Sequence, residues 1–279
     1  MTKLFDFSVA PGSSYSQTPT ISYSPLQGEV FTKQLLTPIS LDQYFMLTST
    51  AWSAERVMRL TLQSLSDLDN STGHTYGANH RPEYQEFNRL ARLIDEAQQQ
   101  KIISFTIEKI DEYFSLNLIF NPDKLHTPEA KQLLAYLKKN PNSKDVTFVA
   151  RNLLSKLKGK GGNSYSPIMT RSVMGMLIYL SRGVQVPQED IVNHRVETHR
   201  LADGTLFDWT EVTRGMICVK SSKTHPLHAV VAVHYRNRWF YIDDNDVDSK
   251  QTFALLEEIF ALRAGTVQNV QPPLLSLRI

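Results

Sequence analysis

The 279-residue chain contains one cysteine, Cys218. No intrachain disulfide can form, which excludes a disulfide-stapled scaffold and any multi-cysteine zinc site. Excess charge is lacking too: 30 basic against 28 acidic side chains leave a net charge of +2. With no basic stripe interleaved with aromatics, nucleic acid is not an expected partner. No apolar run approaches the roughly 20 residues that span a bilayer. The opening Met1-Thr-Lys-Leu-Phe-Asp-Phe-Ser lacks a basic stretch followed by a long apolar one, so neither a secretion nor a lipidation signal is read there. It fits the cut end of a mature chain behind an added methionine. No internal repeat is visible. What is present, 41% hydrophobic and 21% charged residues, suffices for one large or two modest folded domains.

Three portions are expected. Residues 1–26, rich in Ser, Thr, Tyr and Pro, have no helical period and read as an extended segment that docks on something else. Residues 27–155 read as a mostly helical region with a short β-hairpin. Helices are expected from Glu29 to Leu36, after Ser40 with Gln43 in capping-box spacing, and from Ser53 through Leu65. A polar loop covers 70–82, and Glu83–Gln100 is the clearest amphipathic helix, with Phe87, Leu90, Ala91 and Ile94 on one face. Strands follow at Ile102–Ile107, Tyr113–Phe120 and Asp145–Ala150, with a Thr127-capped helix between the last two. Leu157-Lys-Gly-Lys-Gly-Gly-Asn163 marks a linker; it lacks the Lys-Ser/Thr of a phosphate-binding loop.

Residues 164–279 form the third portion. Thr170–Arg182 is apolar nearly all round and is expected to be a buried helix, stopped by Gly183 and Pro187. Three strands follow, Gly215–Ser221, His228–Tyr235 and Trp239–Asp243, then a helix capped by Ser249 and a closing strand at 273–279. Cys218, in an apolar run, reads as a buried inert thiol. The hairpin His228-Ala-Val-Val-Ala-Val-His-Tyr-Arg-Asn-Arg-Trp-Phe-Tyr-Ile-Asp-Asp244 carries the chemistry. A turn at Arg236-Asn237-Arg238 pairs its far ends and sets His228 near Asp243 or Asp244. A carboxylate there could orient an imidazole acting as general base, although the same pair is common structural chemistry. Trp239 and Tyr241 share a face as core packing or as a ligand platform. The eight histidines show no metal-ligand spacing, so neither a metal nor a cofactor is expected.

This hairpin, with Thr170-Arg-Ser-Val-Met-Gly-Met-Leu-Ile-Tyr-Leu-Ser-Arg-Gly-Val-Gln-Val-Pro187 upstream, resembles the transglutaminase-like branch of the papain-like cysteine enzymes over about residues 165–246. The resemblance implies an antiparallel-sheet domain with His228 as the histidine and Asp243 as the carboxylate. The family's cysteine falls at Thr170, Arg171 or Ser172, none of which is cysteine. A hydroxyl is far less acidic than a thiol and needs an aligned base and oxyanion hole.

Tyr15-Ser-Gln-Thr-Pro-Thr-Ile-Ser-Tyr-Ser-Pro-Leu-Gln-Gly28, Leu35-Leu-Thr-Pro-Ile39 and Ala51-Trp-Ser-Ala-Glu-Arg-Val-Met-Arg-Leu60 resemble a little-characterised family of bacterial cell-envelope lipoproteins. That implies a periplasmic or envelope location, with membrane attachment only through a lipid anchor not encoded here.

Together these readings predict an α+β protein, its helical first half packed on a papain-like or transglutaminase-like antiparallel-sheet second half. The expected function is non-catalytic, through contacts with an envelope protein partner. Two alternatives stand beside it. One is a hydrolase or acyltransferase using Ser172 or Thr170 with His228 and Asp243. The other is a small-ligand module using Trp239, Tyr241 and Arg171.

Overall fold

A computed structural model describes residues 29–70, 83–157 and 165–265. The expected extended segment 1–26, most of the polar loop 70–82, the linker to Asn163 and the closing strand at 273–279 lie outside them. Apolar spacing makes the helices. Helix α1 is Glu29–Leu36, α2 is Leu41–Thr48, α3 is Ala54–Thr61 and α4 is Gln85–Gln99. On α4 the face predicted from the sequence, Phe87, Leu90, Ala91 and Ile94, is buried, and Ala97 extends it. Burying one such leucine or isoleucine contributes roughly 1.5–3 kcal/mol. Ser53 Oγ accepts the Arg56 N–H at 3.1 Å and so caps α3.

The predicted third helix does not run to Leu65. It stops at Thr61, and Leu62–Leu65 turns into strand β1, followed by the short β2, Leu68–Asp69. The physical reason is pairing. Extended, these residues bond strands on both sides and keep Leu62 and Leu65 in the core.

Strands β3 (Ile103–Ile110) and β4 (Tyr113–Phe120) form the expected hairpin, with Asp111 at φ 55° in its turn. Helix α5 (Pro128–Tyr136) starts with Thr127 as its cap, and β5 is Asp145–Ala150. After the one-turn helix α6 (Leu154–Leu157), strand β6 (Ser166–Thr170) completes a six-stranded sheet of order β2-β1-β6-β5-β4-β3. All its pairs are antiparallel except β5 with β6. The sheet therefore joins strands that precede Leu157 to one that follows Tyr165.

Helix α7 (Val173–Leu180) is half-buried instead of buried all round. Val173, Met176, Tyr179 and Leu180 enter the core, while Met174, Leu177 and Ile178 are exposed by 38%, 42% and 46%. The short α8 is Gln188–Val192. The expected strand from Gly215 starts late: Gly215 and Met216 lie in a turn, Val219 makes an isolated bridge with Val184, and Lys220–Ser222 is strand β7. It joins β8 (Ala229–Tyr235) and β9 (Arg238–Asp243) in a three-stranded antiparallel sheet of order β7-β9-β8. The β8–β9 turn is two residues, Arg236 and Asn237, both left-handed at φ 46° and 62°.

Helix α9 (Val247–Gly265) returns to the N-terminal helices, where Arg263 donates to the carbonyls of Gln34 and Thr37. Its cap is Asp246, not Ser249. The Asp246 carboxylate accepts both the N–H and the hydroxyl of Ser249. The architecture is α+β. One hydrophobic cluster from Ile39 to Ile259 joins the large sheet, its helices, α7 and α9. Among the described residues no helix is long and apolar enough to cross a membrane.

Candidate functional site

Residues 170–172 are clamped by backbone bonds before any chemistry is considered. Ile39 N–H donates to Arg171 O at 3.1 Å, and Arg171 N–H donates to Thr61 O at 2.6 Å. Thr170 Oγ1 donates to Ile39 O at 2.6 Å. Ser172 is the cap of α7, its Oγ accepting the Gly175 N–H at 3.1 Å. Each hydroxyl considered as a nucleophile thus has a local structural bond.

Arg171 is 6% exposed and faces inward. Its guanidinium donates to Arg59 O at 2.9 Å, Leu60 O at 3.2 Å and Asn70 O, and it stacks 4.3 Å from the Tyr179 ring. The first two acceptors are carbonyls at the C-terminal end of α3, where a helix favours a cation. Burial without a carboxylate partner pushes its pKa down to about 10. Arg171 therefore explains the α3-to-β1 break: it satisfies the carbonyls where the helix stops. Asn70 helps, its side-chain amide donating to Arg59 O and Leu62 O at 2.8 Å each.

The hairpin brings His228 and Asp243 to the same end of their strands. Ala229 pairs with Asp243, and Asp244 N–H donates to His228 O at 3.1 Å. A register shift between Ala229 and Val231 interrupts the alternation that predicted the facing side chains. The Asp243 carboxylate is held by the Asn245 N–H and by Lys220 Nζ, each at 3.0 Å. These two bonds, with weaker help from the His228 charge, hold its pKa below the usual carboxylate range. The exposed His228 imidazole makes no hydrogen bond with another described residue. Lys220, which the sequence reading passed over, is the partner that Asp243 has.

Trp239 lies between two histidine rings, His225 at 4.4 Å and His234 at 5.0 Å. Tyr241 sits in the middle of the small sheet, opposite Lys220 on one side and Ala232 on the other. Cys218 is half-buried; burial and the nearby Asp246 charge raise its pKa, the opposite of an activated thiol. Among the described residues, no three His, Cys, Asp or Glu side chains gather as a metal site.

Two clefts escaped the sequence reading. One, of about 890 Å³, lies beyond the end of α7, where Phe207, Trp209 and His199 meet edge to face and Arg182 stacks 4.4 Å from the Trp209 ring. The Phe207-Asp208-Trp209 string was the available signal, embedded in an otherwise polar stretch. The other, rich in arginine, lies between α3 and α4. Comparison with protein-family models, curated proteins and solved structures finds no match.

Proposed function

We propose that this protein is a non-catalytic component of the bacterial cell envelope that binds a protein partner through the apolar surface of residues 174–260. One observation carries the reading. Thirteen of the sixteen large hydrophobic side chains exposed among the described residues fall in that interval, with Leu227 at 89% and Val233 at 59%. Within it, Val230, Val231, Val233 and Tyr235 stand exposed on the single strand β8, and neighbouring exposed apolar side chains favour association. Among the described residues the outer strand β8 also has a sheet edge with no partner strand, a known template for strand addition. The structural bonds of Thr170 and Ser172 support the non-catalytic part. The degenerate transglutaminase-like ancestry and the envelope location rest on the sequence resemblances alone.

The test is crosslinking in intact bacterial cells, with photoreactive groups at Val230 and Val233. A specific adduct in the envelope fraction is expected, lost on Val231→Lys with the fold intact by circular dichroism. Hydrolysis or crosslinking of glutamine-containing peptides by the purified protein, abolished by Ser172→Ala and His228→Ala, would replace this reading with the hydroxyl-dependent acyltransferase.

A further inference from the structure

The cleft between α3, α4 and the 211–216 turn encloses about 510 Å³, a size suited to a small ligand. Four guanidiniums, Arg56, Arg59, Arg92 and Arg214, line it against two carboxylates, Glu55 and Glu211. The arginines are not equivalent. Arg56 is committed elsewhere, donating to the Asp248 carboxylate at 2.8 Å and to Thr252 Oγ1 at 2.6 Å. Arg59 forms the floor, 5% exposed, with its Nη1 on Glu55 Oε1 at 3.2 Å. Its Nη2 donates to the carbonyls of Val212 and Arg214, which holds the 212–214 turn against α3 and sets Arg214 at the rim. Gly215, at φ 73°, completes that turn.

The opposite rim is Arg92, 61% exposed, with its Nε a loose 3.9 Å from Glu55 Oε2. Arg214 has no side-chain partner among the described residues. Glu55 thus serves two arginines at once, and the cleft carries more positive charge than its carboxylates offset. Two polar atoms in its lining residues are also unsatisfied: the Arg59 Nε–H donor and the Asn88 Oδ1 acceptor. Covered groups without partners are uncommon and costly in folded proteins. A polar ligand entering the cleft would relieve both through small side-chain rotations.

We infer that this cleft binds a small organic carboxylate carrying a hydrogen-bond donor next to its charge. Arginine forks recognise planar carboxylates in a bidentate way, which suits Arg92 and Arg214 at an open rim. The neighbouring hydroxyl or ammonium of the ligand is the group that meets Asn88 Oδ1. None of the residues lining this cleft belongs to the β8–β9 hairpin, and the inference does not depend on the protein-binding reading.

Isothermal titration of the full chain with L-malate, succinate and inorganic phosphate tests it. Saturable malate binding is expected, about tenfold weaker for succinate, which lacks the hydroxyl, and weaker again for phosphate. Arg92→Gln with Arg214→Gln, both at exposed positions, is expected to cost about tenfold or more in malate affinity at unchanged thermal stability. Asn88→Leu is expected to erase the malate preference over succinate. No saturable malate binding, phosphate binding as tightly as malate, or full affinity in the double variant would overturn the proposal.

Discussion

The first 170 residues and the last hundred put their apolar side chains to different uses. Of the 42 hydrophobic residues buried among the described positions, 32 lie before α7. Most of the large hydrophobics left in solvent lie within or after it. Strand β4 shows one extreme: Ser115, Leu116, Asn117 and Leu118 are buried in succession between two strands and the helices. Strand β8 shows the other, with Val230, Val231, Val233 and Tyr235 all exposed at a sheet edge. The difference separates where stability resides from where surface remains to be covered.

The comparison can be broken at the joint between the regions. Arg171→Met removes a donor from three buried carbonyls, of which that of Arg59 keeps the Asn70 amide, and the loss of stability is expected to be on the order of 4 kcal/mol in chemical denaturation. Arg171→Lys is not expected to restore it, because one ammonium cannot reproduce the fork. Within the first region, Leu118→Ala is expected to cost roughly 3 kcal/mol by the same measurement. Its counterpart, Val233→Ser, is expected to stay within about 0.5 kcal/mol; a core-sized loss there would erase the contrast.

Gly183, just past α7, sharpens the picture from inside the second region. A Cβ there would sit 2.5 Å from Ile217 O, so Gly183→Ala is expected to cost roughly 2 kcal/mol and lower the melting temperature.

The smallest effect is electrostatic. Asp243 has a depressed folded-state pKa, so its contribution is present above the unfolded carboxylate pKa and lost as pH falls through the folded one. Lys220→Met removes one cause of the depression. Acid unfolding followed by tryptophan fluorescence is expected to begin at slightly higher pH in that variant.

Much of the first region was legible in the sequence. Period carried it: the buried face of α4, the β3–β4 pairing and the Thr127-Pro128 start of α5 follow from spacing and caps. The failures have particular causes. Leu62 and Leu65 continue the three-residue apolar spacing of α3, so nothing local announced that Arg171, over a hundred positions away, would end the helix. Strand β6 was hidden by Pro167, which nevertheless sits inside the sheet and accepts the Ser66 N–H through its carbonyl. Helix α7 is uniformly apolar, which suggested burial, but among the described residues only one of its faces is buried. For the site, the meeting of the two strand ends was readable, whereas the bulge in β8 and the Lys220 bond to Asp243 were not.

The pairing of β1 with β6 also fixes a timetable. Leu65 bonds opposite Ile168, so a chain emerging from the ribosome exposes one complete edge of β1 until roughly a hundred further residues have been made. The β3–β4 hairpin and the helices near it can form during that interval, but β1 and β5 have no common neighbour until β6 arrives to lie between them. The sheet therefore closes late and from its middle. A nascent chain stalled before Ser166 would carry two open strand edges, the state in which this protein is most exposed to misassembly or chaperone capture.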